Sequence, residues 1–171
     1  LKSLEYRGYD SCGIALANKG WDQLRLFKTI GPPSDLEIIK YSSSCGIGHT
    51  RWATHGEVNT ENTHPHHCQD NEVYLVHNGV VENSDEIKEI LSRDNYKFYG
   101  DTDSEVLANL ISFYHKTTKN PLDSIKSALA QVEGTFGLAI LFRTELGEVL
   151  YGARRSSPLV LGVNDGEYFL A

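Results

Sequence analysis

Short apolar or alternating runs, bounded by Gly, Pro, Asn or Asp, occupy Cys12–Ala17, Leu24–Ile30, Ile47–Trp52, Val73–Val81, Phe136–Phe142, Val149–Ala153 and Leu159–Val163. Their lengths and punctuation suit β-strands. In the middle of the chain the period changes. Ile87, Ile90 and Leu91 fall on one helical face within Ser84–Arg93, behind a Ser84/Asp85 start signal. A second helix is expected from Asp103 to about Lys116, with Val106, Leu107, Leu110, Ile111 and Tyr114 inward. A third is expected from Pro121 to Val132, where Pro121 suits the first turn. Strands on both sides of a helical centre, without strict βαβ alternation, predict an α+β layered sandwich and not a doubly wound sheet.

A chain of 171 residues is long enough for one domain with a sizeable core. No internal repeat is visible, and the loop-rich segments at 31–34 and 41–44 are too short to separate domains. The ends read as interrupted. Leu1–Glu5 looks like the last turn of a helix and Glu167–Ala171 like a strand, so the sandwich is expected to be truncated at both ends. A net charge of −7, with no basic cluster longer than Arg154-Arg155, argues against nucleic acid or an anionic membrane as partner. No apolar run approaches the roughly 20 residues that span a bilayer, and no signal peptide opens the chain. Three cysteines do not form a disulfide framework, which points to a reducing, cytoplasmic compartment and to small solutes as partners.

Six of the seven histidines, His49, His55, His64, His66, His67 and His77, lie in one stretch with Cys68. Those ligand types suit zinc, but Pro65 blocks helical i, i+4 chelation and neighbouring extended positions point to opposite sides. No metal is therefore assigned. The favoured reading is a polar loop whose imidazoles hydrogen-bond locally and wall a site. Cys12 sits in an apolar run and reads as a core residue, while Cys45 and Cys68 read as passive.

Chemistry concentrates in two segments. His49-Thr50-Arg51-Trp52-Ala53-Thr54-His55-Gly56 offers a cation, a hydroxyl and an imidazole close together, and His77-Asn78-Gly79 places an amide beside a glycine. With Leu4-Glu5-Tyr6-Arg7-Gly8-Tyr9-Asp10-Ser11, Asn62-Thr63-His64-Pro65-His66, Glu82-Asn83, Thr102-Asp103-Ser104-Glu105 and Ser156-Ser157-Pro158-Leu159, they resemble in order the glutaminase domain of the glutamine:fructose-6-phosphate amidotransferase family. That is a class II glutamine amidotransferase family, and the resemblance covers nearly the whole chain. Tyr6-Arg7-Gly8 and Arg51 before an aromatic would also fit the purine-pathway amidotransferase. Trp52, His55-Gly56 and His64-Pro65-His66 look more like the hexosamine enzyme.

The resemblance implies a four-layer αββα sandwich of the N-terminal-nucleophile hydrolase type, with L-glutamine as substrate and no cofactor. It also implies roles that side-chain chemistry supports. Arg51 would meet the α-carboxylate in a bidentate fork, with Thr54 and His55 adding hydrogen bonds. Asp103 would hold the α-ammonium, with a helix N-cap as the competing explanation, and Asp101 competes for either role. Asn78 and Gly79 match the oxyanion hole; an Asn-Gly hairpin turn is the competing explanation. Trp52 would pack beside the pocket, with Arg7, Tyr9 and His64 in support; a surface salt bridge would also account for Arg7.

In the family the nucleophile is a cysteine at the first position of the mature protein, activated by its own α-amine. Attack yields a glutamyl thioester and ammonia, and water then releases glutamate. The ammonia passes to a C-terminal sugar-isomerase domain, through which a homo-oligomer is expected, to make glucosamine 6-phosphate from fructose 6-phosphate. The chain begins at Leu1 without that cysteine or the first strand, and the isomerase domain does not follow. It is therefore expected to be inactive alone. Two other classes stay open: a non-catalytic glutamine-binding module, and a metal-dependent hydrolase built on the histidines.

Overall fold

The computed structural model describes residues 1, 3, 6, 8–18, 24–36, 42–52 and 57–171. Three strands form the first sheet: β1 (Ser11–Ala17), β2 (Arg25–Ile30) and β3 (Cys45–Arg51). Its order is β2-β1-β3, antiparallel throughout. A second antiparallel sheet contains β4 (His66–His67), β5 (Val73–Val81), β6 (Gly134–Thr144) and β7 (Gly147–Arg155) in that spatial order. Between β5 and β6 run α1 (Ser84–Arg93), α2 (Asp103–Thr118) and α3 (Pro121–Gln131). A hairpin of β8 (Leu161–Asn164) and β9 (Glu167–Leu170) follows.

The unbroken apolar start of β5, Val73, Tyr74, Leu75 and Val76, reflects burial on both faces. Val73 and Leu75 join Leu107, Ile111, Leu138, Ile140 and Phe142 in the core between the second sheet and the helices. Tyr74 and Val76 turn the other way and meet Ala15, Ala17, Ile47 and Leu141 between the two sheets. On the far side of the first sheet Cys12, Ile14 and Leu36 form a third apolar cluster with Leu1, Leu16 and Phe27 against it. Helices, sheet and sheet are thus stacked as an α+β sandwich. Cys12 is 1% exposed and belongs to that packing, as the sequence suggests.

The sequence pattern underestimates α2. An inward stripe is expected, yet every residue from Ser104 to Ser112 is buried. The helix is enclosed by α1, α3, β4 and β5, so even its polar side chains are inside. In α1, Ile87 and Leu91 are buried as expected, but Ile90 is exposed. The helix packs chiefly against one neighbour, α2, and a single helical neighbour covers only the narrow arc shared by positions 87 and 91. Pro121 does open α3, behind Asn120, whose side-chain oxygen accepts the Asp123 N–H. The Leu159–Val163 strand is shifted to Leu161–Asn164, and the short β4 carries too few residues to give a pattern.

Candidate functional site

Among the described residues, three elements bring polar side chains to one cavity of about 700 Å³, whose wall also includes Gly137 and Ala139 of β6. The end of β3 supplies His49, Arg51 and the following Trp52; β5 supplies His77, Asn78 and Gly79; the start of α2 supplies Asp103 and Ser104. Arg7, Thr54 and His55 lie outside the described residues.

Arg51 is 6% exposed, and its Nη1 donates to the Glu57 carbonyl oxygen at 3.3 Å. Asp10 and Asp103 are its acidic electrostatic neighbours. Backbone packing fixes where the guanidinium leaves the strand. Asp10 N–H donates to the Arg51 carbonyl at 3.2 Å, and Gly8 lies so close that a Cβ there would stand 2.7 Å from the Arg51 carbonyl carbon. Only glycine allows that approach. Trp52 is 57% exposed, with its ring 5.6 Å from that of Tyr9, so it walls the cavity instead of filling the core.

Asn78 and Gly79 do not form a hairpin turn. They lie within β5, opposite Gly137 and Phe136 of β6. Asn78 is exposed at the cavity, and among the described residues no group takes its side-chain amide. Gly79 has φ +148°, and a Cβ there would come within 2.1 Å of the Thr135 carbonyl oxygen. The glycine therefore answers to close approach of β6, not to a turn.

Asp103 is not the N-cap of α2. That position belongs to Thr102, whose hydroxyl accepts from Glu105 N–H at 3.3 Å. Asp103, in the first turn, instead has Oδ2 accepting from Val81 N–H at 2.8 Å and Oδ1 accepting from Ser104 Oγ at 3.1 Å. His77 Nδ1 stands 3.8 Å from Oδ1, an ion-pair distance longer than a direct hydrogen bond. Burial would raise the Asp103 carboxyl, but His77, the Val81 N–H and the Ser104 hydroxyl outweigh it and hold the group below its ordinary value. Asp101 also lines the cavity; its backbone N–H donates to Asn62 Oδ1 at 2.8 Å.

Three of the histidines meet hydroxyls, and His77 Nε2 also lies 3.4 Å from the Thr135 carbonyl oxygen. His64 Nε2 is 3.1 Å and His77 Nδ1 3.0 Å from Ser104 Oγ, and His66 Nε2 is 3.1 Å from Thr102 Oγ1. His64 packs its ring 4.4 Å from that of His49 and 4.6 Å from that of His66. Burial, followed by the charges of His77 and Arg51, lowers His49 to about 4. Burial also holds His64 and His66 well below the ordinary imidazole range, so these rings are neutral near pH 7. His67 meets the Cys68 carbonyl through Nδ1 at 3.0 Å. Among the described residues no cluster of three or more His, Cys, Asp or Glu is disposed to hold a metal ion.

None of the three cysteines lines this cavity. Cys12 and Cys68 are buried, and Cys45 stands six residues before Arg51 on β3, about 20 Å away at the strand rise. Burial raises the Cys45 and Cys68 thiols. Ser104 and Glu105, which stand in the Thr102-Asp103-Ser104-Glu105 motif without an assigned role, also shape the site. The Glu105 carboxylate accepts from Tyr99 N–H at 2.9 Å and Gly100 N–H at 2.8 Å, shaping the loop that presents Asp101 and Asp103. The Thr102-x-x-Glu105 capping-box spacing was the available signal.

A family model described as a glutamine amidotransferase domain matches residues 49–171. Over 176 aligned residues the chain is 44% identical to the glutamine–fructose-6-phosphate aminotransferase (isomerizing) of Bacteroides thetaiotaomicron. Identity to the protein of the same name from Clostridium tetani is 41% over 176 residues. Each alignment covers 100% of this chain and 28% of the relative, so the chain spans little more than a quarter of their length. Among solved structures, glutamine phosphoribosylpyrophosphate amidotransferase from B. subtilis, complexed with ADP and GMP, superimposes with a TM-score of 0.82 at 28% identity. That match covers 98% of this chain and 36% of that one. The allosteric regulatory enzyme of purine biosynthesis gives 0.80 at 28% identity, over 99% of this chain and 37% of that one.

Proposed function

Because the chain belongs to the glutamine amidotransferase family, we propose that its cavity binds L-glutamine and that it is the glutaminase part of a longer cytoplasmic enzyme. That enzyme makes glucosamine 6-phosphate from fructose 6-phosphate. The observation that carries the reading is the convergence on one cavity of a buried cation, a carboxylate held ionised and an amide that no group among the described residues takes. Free glutamine is a zwitterion ending in a carboxamide, and it requires those three groups. Arg51 takes the α-carboxylate and Asp103 the α-ammonium. Asp103 suits this better than Asp101, because Val81 and Ser104 fix its oxygens. Asn78 Nδ2 and Gly79 N–H face the carboxamide oxygen, where negative charge develops on attack.

Trp52 walls the site and His64 acts through Ser104; the supporting roles that the family resemblance implies for Arg7, Thr54 and His55 fall outside the described residues. The attacking thiol is an N-terminal cysteine outside the 171 residues, since Cys12, Cys45 and Cys68 are internal, lack an adjacent α-amine and lie off the cavity. No cofactor takes part. The remaining partner is a sugar-isomerase domain of the full-length enzyme, through which it forms a homo-oligomer. The 44% identity to a fructose-6-phosphate enzyme, against 28% to the purine-pathway structures, supports the hexosamine assignment.

The test is hydrolysis by the full-length protein of L-glutamine, D-glutamine and Nα-acetyl-L-glutamine. Turnover of the L-isomer alone is expected, and unchanged kcat/KM on acetylation would remove Asp103 from the ammonium role. The 171-residue chain alone is expected to show no glutaminase activity above background; measurable turnover would place the nucleophile within it.

A further inference from the structure

Ser104 is 1% exposed and meets three functional side chains at once. We propose that Ser104 is a positioning residue, which aims the Asp103 carboxylate into the cavity by linking it to His64 and His77. This rests on the reading of Asp103 as the ammonium anchor.

Ser104 Oγ is 3.1 Å from Asp103 Oδ1, 3.0 Å from His77 Nδ1 and 3.1 Å from His64 Nε2. An ionised carboxylate only accepts, so the single hydroxyl proton is committed to Oδ1. The serine oxygen then has only lone pairs left for the two rings, and both must donate. His77 therefore carries a proton on Nδ1; its Nε2 lies 3.4 Å from the Thr135 carbonyl oxygen, longer than an ordinary hydrogen bond. His64, neutral in its buried setting, carries its proton on Nε2; among the described residues its Nδ1 is buried without a hydrogen-bond partner. Asp103 Oδ2 is fixed separately by Val81 N–H of β5 at 2.8 Å. The carboxylate is thus held from α2, from β5 and from the segment before β4. Without the hydroxyl, Oδ1 loses its donor and two imidazole N–H groups lose their acceptor.

The prediction is specific to ground-state binding. Asp103 contacts the ammonium equally before and during attack, so loss of its alignment raises KM and leaves kcat alone. In the full-length protein, Ser104→Ala and Ser104→Cys are compared with Asp103→Asn by steady-state glutaminase kinetics; cysteine keeps the volume but is a weak donor and acceptor. Asp103→Asn is expected to raise KM for L-glutamine by about 100-fold, and each Ser104 variant by about 10-fold, with kcat within about three-fold. If Asp103→Asn leaves KM unchanged, the underlying reading of the site is wrong. If Asp103→Asn raises KM but Ser104→Cys does not, or if Ser104→Cys lowers kcat at constant KM, the role of Ser104 alone is overturned. Nitrogen-15 resonances of the wild-type protein test the same wiring without a substitution. His64 protonated on Nε2 supports it, and protonation on Nδ1 overturns it.

Discussion

Replacing Asn78 by alanine separates catalysis from folding more cleanly than any other change in the cavity. The side chain is exposed on β5, and among the described residues nothing takes its amide, so its removal breaks no internal hydrogen bond. Exposed substitutions of this kind stay within about 0.5 kcal/mol of wild-type stability. The proposed partner, the carboxamide oxygen, carries negative charge only as the thiolate attacks, so the loss falls on the transition state. Deleting one oxyanion donor costs about 10²–10³ in kcat, or about 2.7–4 kcal/mol of barrier. The assay is glutamate release by the full-length protein, with kcat and KM resolved and thermal midpoints taken in parallel. A kcat lowered about 100-fold or more, at near-constant KM and midpoint, is expected. A kcat within a few-fold of wild type would refute the reasoning and leave Asn78 as a strand residue without a catalytic part.

Gly79→Ala should destabilise the protein by about 1–3 kcal/mol or more in urea unfolding, because its Cβ would meet the Thr135 carbonyl at 2.1 Å; an unchanged midpoint would contradict the close approach. Arg51→Lys should mainly raise KM for glutamine, since a point charge replaces a bidentate fork, and a kcat defect at constant KM would argue against carboxylate binding. Acid should destabilise the fold through the buried histidines. The unfolded chain takes up their protons near pH 6.5 while the folded one resists, down to about 4 for His49 and well below the ordinary imidazole range for His64 and His66. Stability fully present above pH 6.5 is therefore lost as pH falls through that window, by up to about 1.4 kcal/mol per unit per ring, and equal urea midpoints at pH 7 and pH 5 would contradict it. A glutamine-analogue electrophile should label the upstream cysteine in the full-length protein, and stoichiometric, glutamine-protected label on Cys12, Cys45 or Cys68 would move the nucleophile.

Where burial follows a simple period, the sequence was readable. Val73–Val81 and Ser84–Arg93 match their strand and helix end to end, because each is bounded by residues that punctuate. The two-sided burial of β5 was implicit in its unbroken apolar start. Ile90 misled because residue type alone does not say how wide an arc the neighbours cover. At the site, Arg51, Asn78 and Asp103 were legible from chemistry and motif, and all three reach one cavity. The structural explanations weighed against them failed for physical reasons. Asn78-Gly79 is fully paired to β6, which excludes a turn, and Thr102 caps α2 in place of Asp103. Ser104 was illegible as more than a helix-start residue, since its importance lies in contacts 27 and 40 residues away in sequence.

The most direct test of the glutamine site is a crystal structure of the full-length protein with L-glutamate bound. The α-carboxylate is expected on the Arg51 guanidinium, the α-ammonium on Asp103, and the side-chain carboxylate against Asn78 Nδ2 and Gly79 N–H. A glutamate whose ammonium lies on Asp101, or whose side chain points away from Asn78 and Gly79, would contradict the account.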